Sequence, residues 1–134
     1  MLTHLNYLHI VVAAAVYFII GGLWYSVLFG KSWMVLVNVT PTEEDKKKAP
    51  MMMGMTLVIN LIITIGLAFV YKLIRAHSVI VALKVGGFLG VCFFLMPMIL
   101  NNMYARRPTK LTMIDAGYHV VGVIVASLIL VLWR

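Results

Sequence analysis

An all-α integral membrane bundle of four helices is the fold this sequence predicts, and three observations predict it. Hydrophobic residues fill 63% of the 134 positions and charged ones only 11%, with a mean hydropathy of +1.05, outside the range of soluble domains. Four uninterrupted apolar runs are each long enough to cross a bilayer, which takes about 20 residues. None alternates with the two-residue period of a barrel strand, so their backbone polar groups must be satisfied within each run, as helices. Residues 1–134 therefore form a single transmembrane domain.

The first helix is expected over about 5–29; it holds no charged side chain and closes on Trp24, Tyr25 and Trp33, rings suited to the headgroup boundary. It lacks the basic leader and small-residue cleavage site of a signal peptide, so it is expected to be retained. The second spans about 51–74 and ends at Lys72 and Arg75. The third covers about 79–105, with Lys84 near its start and Arg106 and Arg107 beyond its end. The fourth runs over about 110–133, stopped by Arg134.

Between the first two helices lies the only substantial polar segment. Thr40 or Thr42 is placed to cap a short helix over about 41–49, with Glu43, Glu44 and Asp45 in its first turn and Lys46, Lys47 and Lys48 in the next, as the helix dipole favours. Pro50 is expected to end it. Four crossings leave both termini on one side. Lys31, Lys46, Lys47, Lys48, Arg106, Arg107 and Lys110 mark the side of the first and third connections, against Lys72, Arg75, Lys84 and Arg134 on the other. This asymmetry predicts cytoplasmic connections and external termini.

Net charge is +7, yet with no recognition helix and no aromatic platform outside the membrane, orientation and lipid contact explain it better than nucleic acid. The lone Cys92 cannot form an internal disulfide and sits far from any lipidation box. The methionines at Met51–Met55 are ordinary apolar filler unless other copper ligands join them, and no CxxC or paired His spacing does. His4, His9 and His77 lie near the opposite surface, where headgroup contact accounts for them. Neither metal nor cofactor is expected. With no GxSxG, HExxH or phosphate-cradling loop, and no base beside Ser26, the chain is not expected to be an enzyme.

The polar residues within the helices are the informative ones. Thr56, Asn60 and Thr64 share one face of the second helix, and Thr112, Asp115, His119, Gly122 and Ala126 one face of the fourth. At 1.5 Å per residue Asp115 lies roughly 6–8 Å below the surface, His119 about 13 Å and Asn60 about 15 Å. A carboxylate and an imidazole in hydrocarbon are costly and point inward by default. The sequence therefore predicts an intramembrane polar pocket of Tyr25, Asn60, Asn101, Asn102, Asp115 and His119, rimmed by Lys31, Arg106, Arg107 and Lys110 as headgroup contacts. The plainer alternative is that these groups hydrogen-bond between helices at about 0.6 kcal/mol each, with Asp115 paired to Arg106 or Arg107. Gly86 and Gly90 form a GxxxG, Gly122 and Ala126 a second small-residue pair, and Ala14 with Gly22 a looser strip; all permit close helix approach, within the chain or between subunits. Pro97 is expected to bend the third helix.

The runs GGLWYSVLFGKSW at Gly21–Trp33 and ARRPTKLTMIDAGYHVVG at Ala105–Gly122, with a TxEDxKK connector between them, resemble an uncharacterised domain-of-unknown-function family of small four-helix bacterial membrane proteins with motifs of the type WYSxLFGKxW and NxGYH. The resemblance covers nearly the whole chain and implies a four-helix bundle in a bacterial inner membrane, with Trp24, Tyr25, Lys31, Trp33, Gly117, Tyr118 and His119 as motif positions. Asp115 stands where that family would carry Asn. The first and third helices also end alike, in aromatic or amide residues before a basic turn, which points to two parallel helical-hairpin repeats.

Three functional readings follow. The foremost is a non-catalytic, homo-oligomeric or accessory membrane subunit, in contact with membrane lipid and with partners in a larger complex. The second is a small-solute, ion or proton-coupled transporter or channel component using Asp115 and His119. The third is a lipid-binding protein that holds headgroup phosphates with Arg106, Arg107 and Lys110.

Overall fold

A computed structural model of the protein describes residues 7–37 and 42–133. Among them no strand occurs, and four helices are long and apolar enough to cross a membrane: Tyr7–Leu28, Glu43–Leu73, Val79–Tyr104 and Thr109–Leu132. The first span is helix α1 (Tyr7–Leu23) continued by a π turn (Trp24–Leu28); a break at Phe29 leads into the short α2 (Gly30–Val37). The second span is α3 (Glu43–Leu73). The third is α4 (Val79–Leu89), a π segment (Gly90–Leu95) and α5 (Met96–Tyr104), and the fourth is α6 (Thr109–Leu132).

Two expectations need correction. There is no separate surface helix over 41–49 ending before Pro50: Thr42 caps α3 itself, accepting from the Asp45 N–H while the Asp45 carboxylate accepts from the Thr42 N–H, and the helix runs through Pro50 to Leu73. Pro50 lacks the N–H that would bond the Lys46 carbonyl one turn back, and Lys46 is exposed there, where that carbonyl is open to solvent. Thr40, the other candidate cap, lies outside the described residues, as does His4. The second correction is α2, a helix of its own where the sequence predicts no element between the first helix and the segment over 41–49. At about 46 Å by the standard rise, α3 exceeds the roughly 30 Å hydrocarbon layer, so its charged first turns lie beyond it.

Helix α6 is the centre of the bundle. Half of its apolar window is buried, against 22%, 22% and 17% for the other three spans in order, and it packs on α1, α2, α3, α4 and α5. Each hairpin also packs its own two spans together, α1 on α3 and α4 on α6, and the first span of each hairpin carries a π segment. The hairpins are not interchangeable, because α6 is central and α3 lies at the edge.

Close approach depends on absent side chains. A Cβ at Gly86 would lie 3.0 Å from the Ser127 hydroxyl and 3.3 Å from the Ile124 Cα, and one at Gly90 3.3 Å from the Val120 Cα. The GxxxG is thus spent inside the chain, against α6. Ala126 is buried; of the looser strip, Ala14 is buried and Gly22 exposed. Pro97 sits in the first turn of α5 directly after the π segment, where the Met96 N–H reaches back five residues to Val91. The expected bend is therefore a change of winding that adjusts the backbone to a missing donor.

Packing is uneven along the membrane normal. Buried positions in α1 stop at Tyr17 and those in α3 begin at Asn60. From Thr42 through Ile59 every residue of α3 is exposed. The half nearer the chain termini is a closed core; toward the first and third connections α3 stands clear, while α5 and α6 stay packed at Asn102, Leu111, Thr112 and Ile114.

Candidate functional site

The polar groups gather where the closed half meets the one from which α3 stands clear. Tyr17 of α1 and His119 Nδ1 of α6 share a 2.6 Å hydrogen bond. One turn nearer the connections, Tyr25, in the π turn, donates to Asp115 Oδ1 at 2.7 Å. Trp24 beside it donates its indole N–H to the Ile114 carbonyl at 2.8 Å. From the other side of α6, Asn60 donates to the Tyr118 hydroxyl at 3.3 Å, which donates to the Tyr17 main-chain carbonyl at 3.4 Å. Spans one, two and four are tied together by these contacts.

Rings fill the space between the bonds. Tyr118 meets Tyr17 and Tyr25 edge-on at centroid separations of 5.2 and 5.6 Å and lies parallel to its neighbour His119 at 4.7 Å. Phe94, from the π segment of the third span, stacks on His119 at 5.7 Å, and Trp33 of α2 meets Tyr25 edge-on at 5.9 Å. Glycines set the rings: a Cβ at Gly122 would fall 2.8 Å from Tyr17, one at Gly21 2.8 Å from the Tyr118 hydroxyl and one at Gly117 3.0 Å from Trp24. At 1.5 Å per residue, Tyr17, Phe94 and His119 each lie about 15 Å from the connection-side end of their span, near the middle of the bilayer.

Of the residues expected to form the pocket, Tyr25 and Asp115 bond directly, and Asn60 and His119 join through Tyr118 and Tyr17. Asn102 is buried but separate, donating to Thr112 at 2.9 Å across the α5–α6 turn. Asn101 is exposed, as are Lys31, Arg106, Arg107 and Lys110. Asp115 bonds the tyrosine and not an arginine: the guanidiniums of Arg106 and Arg107 sit on an exposed turn where Arg106 takes a left-handed φ of 57°. Thr56 turns back on its own helix, donating to the Met52 carbonyl. Ser26 likewise bonds the carbonyl of Gly22. His9 is buried against Trp133 at the terminal end, away from the site. Met51, Met52, Met53 and Met55 are exposed.

Tyr17 and Phe94 were not anticipated, since in an apolar run an aromatic residue looks like span filler. For Tyr17 a signal existed: Ala13, Ala14 and Tyr17 share a face, and small residues beside a tyrosine mark a close helix contact.

The site leaves two atoms uncommitted among the described residues. Asp115 uses Oδ1 and His119 uses Nδ1, so the other carboxylate oxygen and Nε2 carry no protein partner, and both side chains are half-buried. Helix α1 and the third span make no extended interface with each other; both pack on α6. The polar face of α6 thus lies between α1 and the third span, with Tyr17 and Phe94 on either side of His119. No buried side-chain polar atom among the described residues lacks a partner.

The fold and site define a four-span helical membrane protein whose helix-embedded ionisable pair is held by tyrosines. Residues 8–131 match the family model described as Protein of unknown function (DUF1761), and the chain belongs to that family. Comparison with curated proteins and with solved structures gives no match. The two sequence motifs singled out above touch here, Trp24 and Tyr25 of the first lying on Ile114, Asp115 and Gly117 of the second.

Proposed function

We propose that this protein is a non-enzymatic proton-coupled transport or channel component in which Asp115, nearer the connections, and His119, near the bilayer centre, take up and pass on a proton. The observation that carries this reading is the half-used bonding of the pair. Each group is oriented through one atom by a tyrosine of the first span, while its second polar atom remains free to bind and release. Neither second atom is among the fully buried ones, which all have partners in the described residues. Ionisable residues inside a membrane are costly and belong to pathways and relays. Coupling-ion sites near the midplane beside interrupted helices are the usual arrangement in transporters, and the π segments of spans one and three flank this one. Basic residues favour cytoplasmic first and third connections, so Asp115 is reached before His119 from that side.

The test is proton flux into proteoliposomes loaded with a pH-sensitive dye. Wild type should dissipate an imposed gradient faster than empty liposomes, and Asp115→Asn and His119→Gln should abolish the difference while helicity and monodispersity persist. Equal flux through wild type and Asp115→Asn would refute the assignment.

The accessory or homo-oligomeric reading keeps one specific support, the all-round exposure of α3 from Thr42 to Ile59. It no longer has Gly86 and Gly90, which pack inside the chain.

A further inference from the structure

We propose that Tyr17 is a positioning residue that ties the charge of His119 to the contact between α1 and α6, so that a proton added to the imidazole releases α1. This coupling rests on the proton-coupled reading and gives it a moving part. Counting hydrogens supplies the reason. A phenol has one hydrogen to donate, a neutral imidazole has one nitrogen to accept it, and an imidazolium has none. Tyr17 is 0% exposed, and its hydroxyl has one hydrogen-bond partner among the described residues, His119 Nδ1 at 2.6 Å. Only one assignment leaves no hydrogen unused there: Tyr17 donates, Nδ1 accepts, and the ring's own hydrogen sits on Nε2. With Nδ1–H donating instead, a buried O–H would lack an acceptor, which is costly.

A proton added at Nδ1 reverses the bond. Nδ1–H then donates, Tyr17 accepts, and the phenol hydrogen needs a new acceptor. The neighbouring Tyr118 hydroxyl is held by Asn60 and by the Tyr17 main-chain carbonyl. Nor has the Tyr17 ring room to turn aside: a Cβ at Gly122 would fall 2.8 Å from it, and the Tyr118 ring meets it edge-on at 5.2 Å. The hydroxyl regains a partner when Tyr17 leaves α6 and takes α1 with it. Because the first span also carries Tyr25, the movement reaches Asp115 as well. Around His119 the first span presents Tyr17 and Tyr25, α3 presents Asn60 through Tyr118, the third span presents the Phe94 ring with Cys92 exposed, and α6 presents Asp115 and Tyr118. Lys31, Arg106, Arg107 and Lys110 are exposed at the connection end.

The test uses the full-length protein in lipid nanodiscs, with Cys92→Ser and spin labels on Ile19→Cys of α1 and Val121→Cys of α6, two exposed positions. Acidification should lengthen the distance between the labels, and His119→Gln, which takes up no proton, should hold it constant. Histidine 15N spectra, with His119→Gln assigning the resonances, should show a hydrogen on Nε2 of the neutral ring and an acceptor nitrogen at Nδ1. In Tyr17→Phe the Nδ1 resonance should move to the position of an unbonded acceptor. A hydrogen on Nδ1 of the neutral ring, or a protonated His119 with the label distance unchanged, overturns the proposal. So does an imidazole that stays neutral down to about pH 4, well below the ordinary histidine range. If wild type carries proton flux while the distance stays fixed, this coupling alone is wrong; a separation that follows His119 without any flux keeps the coupling and removes the transport reading.

Discussion

The two halves of this bundle use α6 differently. Toward the chain termini α6 is locked by close contacts: Val123, Ala126 and Ser127 are at most 1% exposed, Gly86 lies on Ile124, and Tyr71 donates to the Ala82 carbonyl at 3.3 Å. Toward the connections the same helix carries Asp115 and His119 half-exposed, α3 stands away, and α1 has unwound into a π turn. The difference teaches where stability and chemistry reside. A dry, well-packed half holds the spans in register, which leaves the other half free to keep polar atoms uncommitted.

The largest expected effect comes from breaking the locked half at its boundary. Gly122→Leu would drive a side chain into the Tyr17 ring, and should cost about 3 kcal/mol in reversible unfolding measured by steric trapping, the upper range for overpacking. A cost below about 0.5 kcal/mol would mean that the contact is loose.

A paired substitution sharpens the contrast between the faces of one helix. Gly86→Val meets α6 and should cost about 2 kcal/mol. Gly87→Val, where a Cβ meets nothing within 4 Å, should stay within about 0.5 kcal/mol of wild type in the same assay. Equal effects would show that α4 is rotated from the position described here.

The smallest expected effect lies at the turns. Arg75 and Arg106 hold left-handed φ angles of 53° and 57° just after α3 and α5, and the following N–H groups of Ala76 and Arg107 reach back to Tyr71 and Asn102. Arg106→Gly should therefore raise stability by about 1 kcal/mol through relief of the Cβ clash. A loss instead would give the guanidinium a role at the surface that outweighs the strain.

Much of this was legible in the sequence because it followed from period and polarity. Asp115 and His119 four residues apart had to share a face, Gly86 and Gly90 had to mark a close contact, and Thr40 or Thr42 before the acidic run had to start a helix. What escaped depends on partners distant in the chain. Nothing local says that Tyr17 reaches His119, because the bond joins residues 102 apart. Asn101 and Asn102 are indistinguishable by type, and only the α5–α6 turn decides that Asn102 faces Thr112 while its neighbour faces outward. Pro50 misled because the rule against helix-interior proline assumes that the lost bond is buried, and here it is exposed.

The most direct test of the central claim, an exchangeable proton on an acid oriented by the first span, is infrared difference spectroscopy of the reconstituted protein during pH titration. Beside the bands of the exposed Glu43, Glu44 and Asp45, one carboxyl C=O component should appear on acidification that is lost in Asp115→Asn and shifted in frequency in Tyr25→Phe. Difference spectra identical in wild type and Asp115→Asn would contradict it.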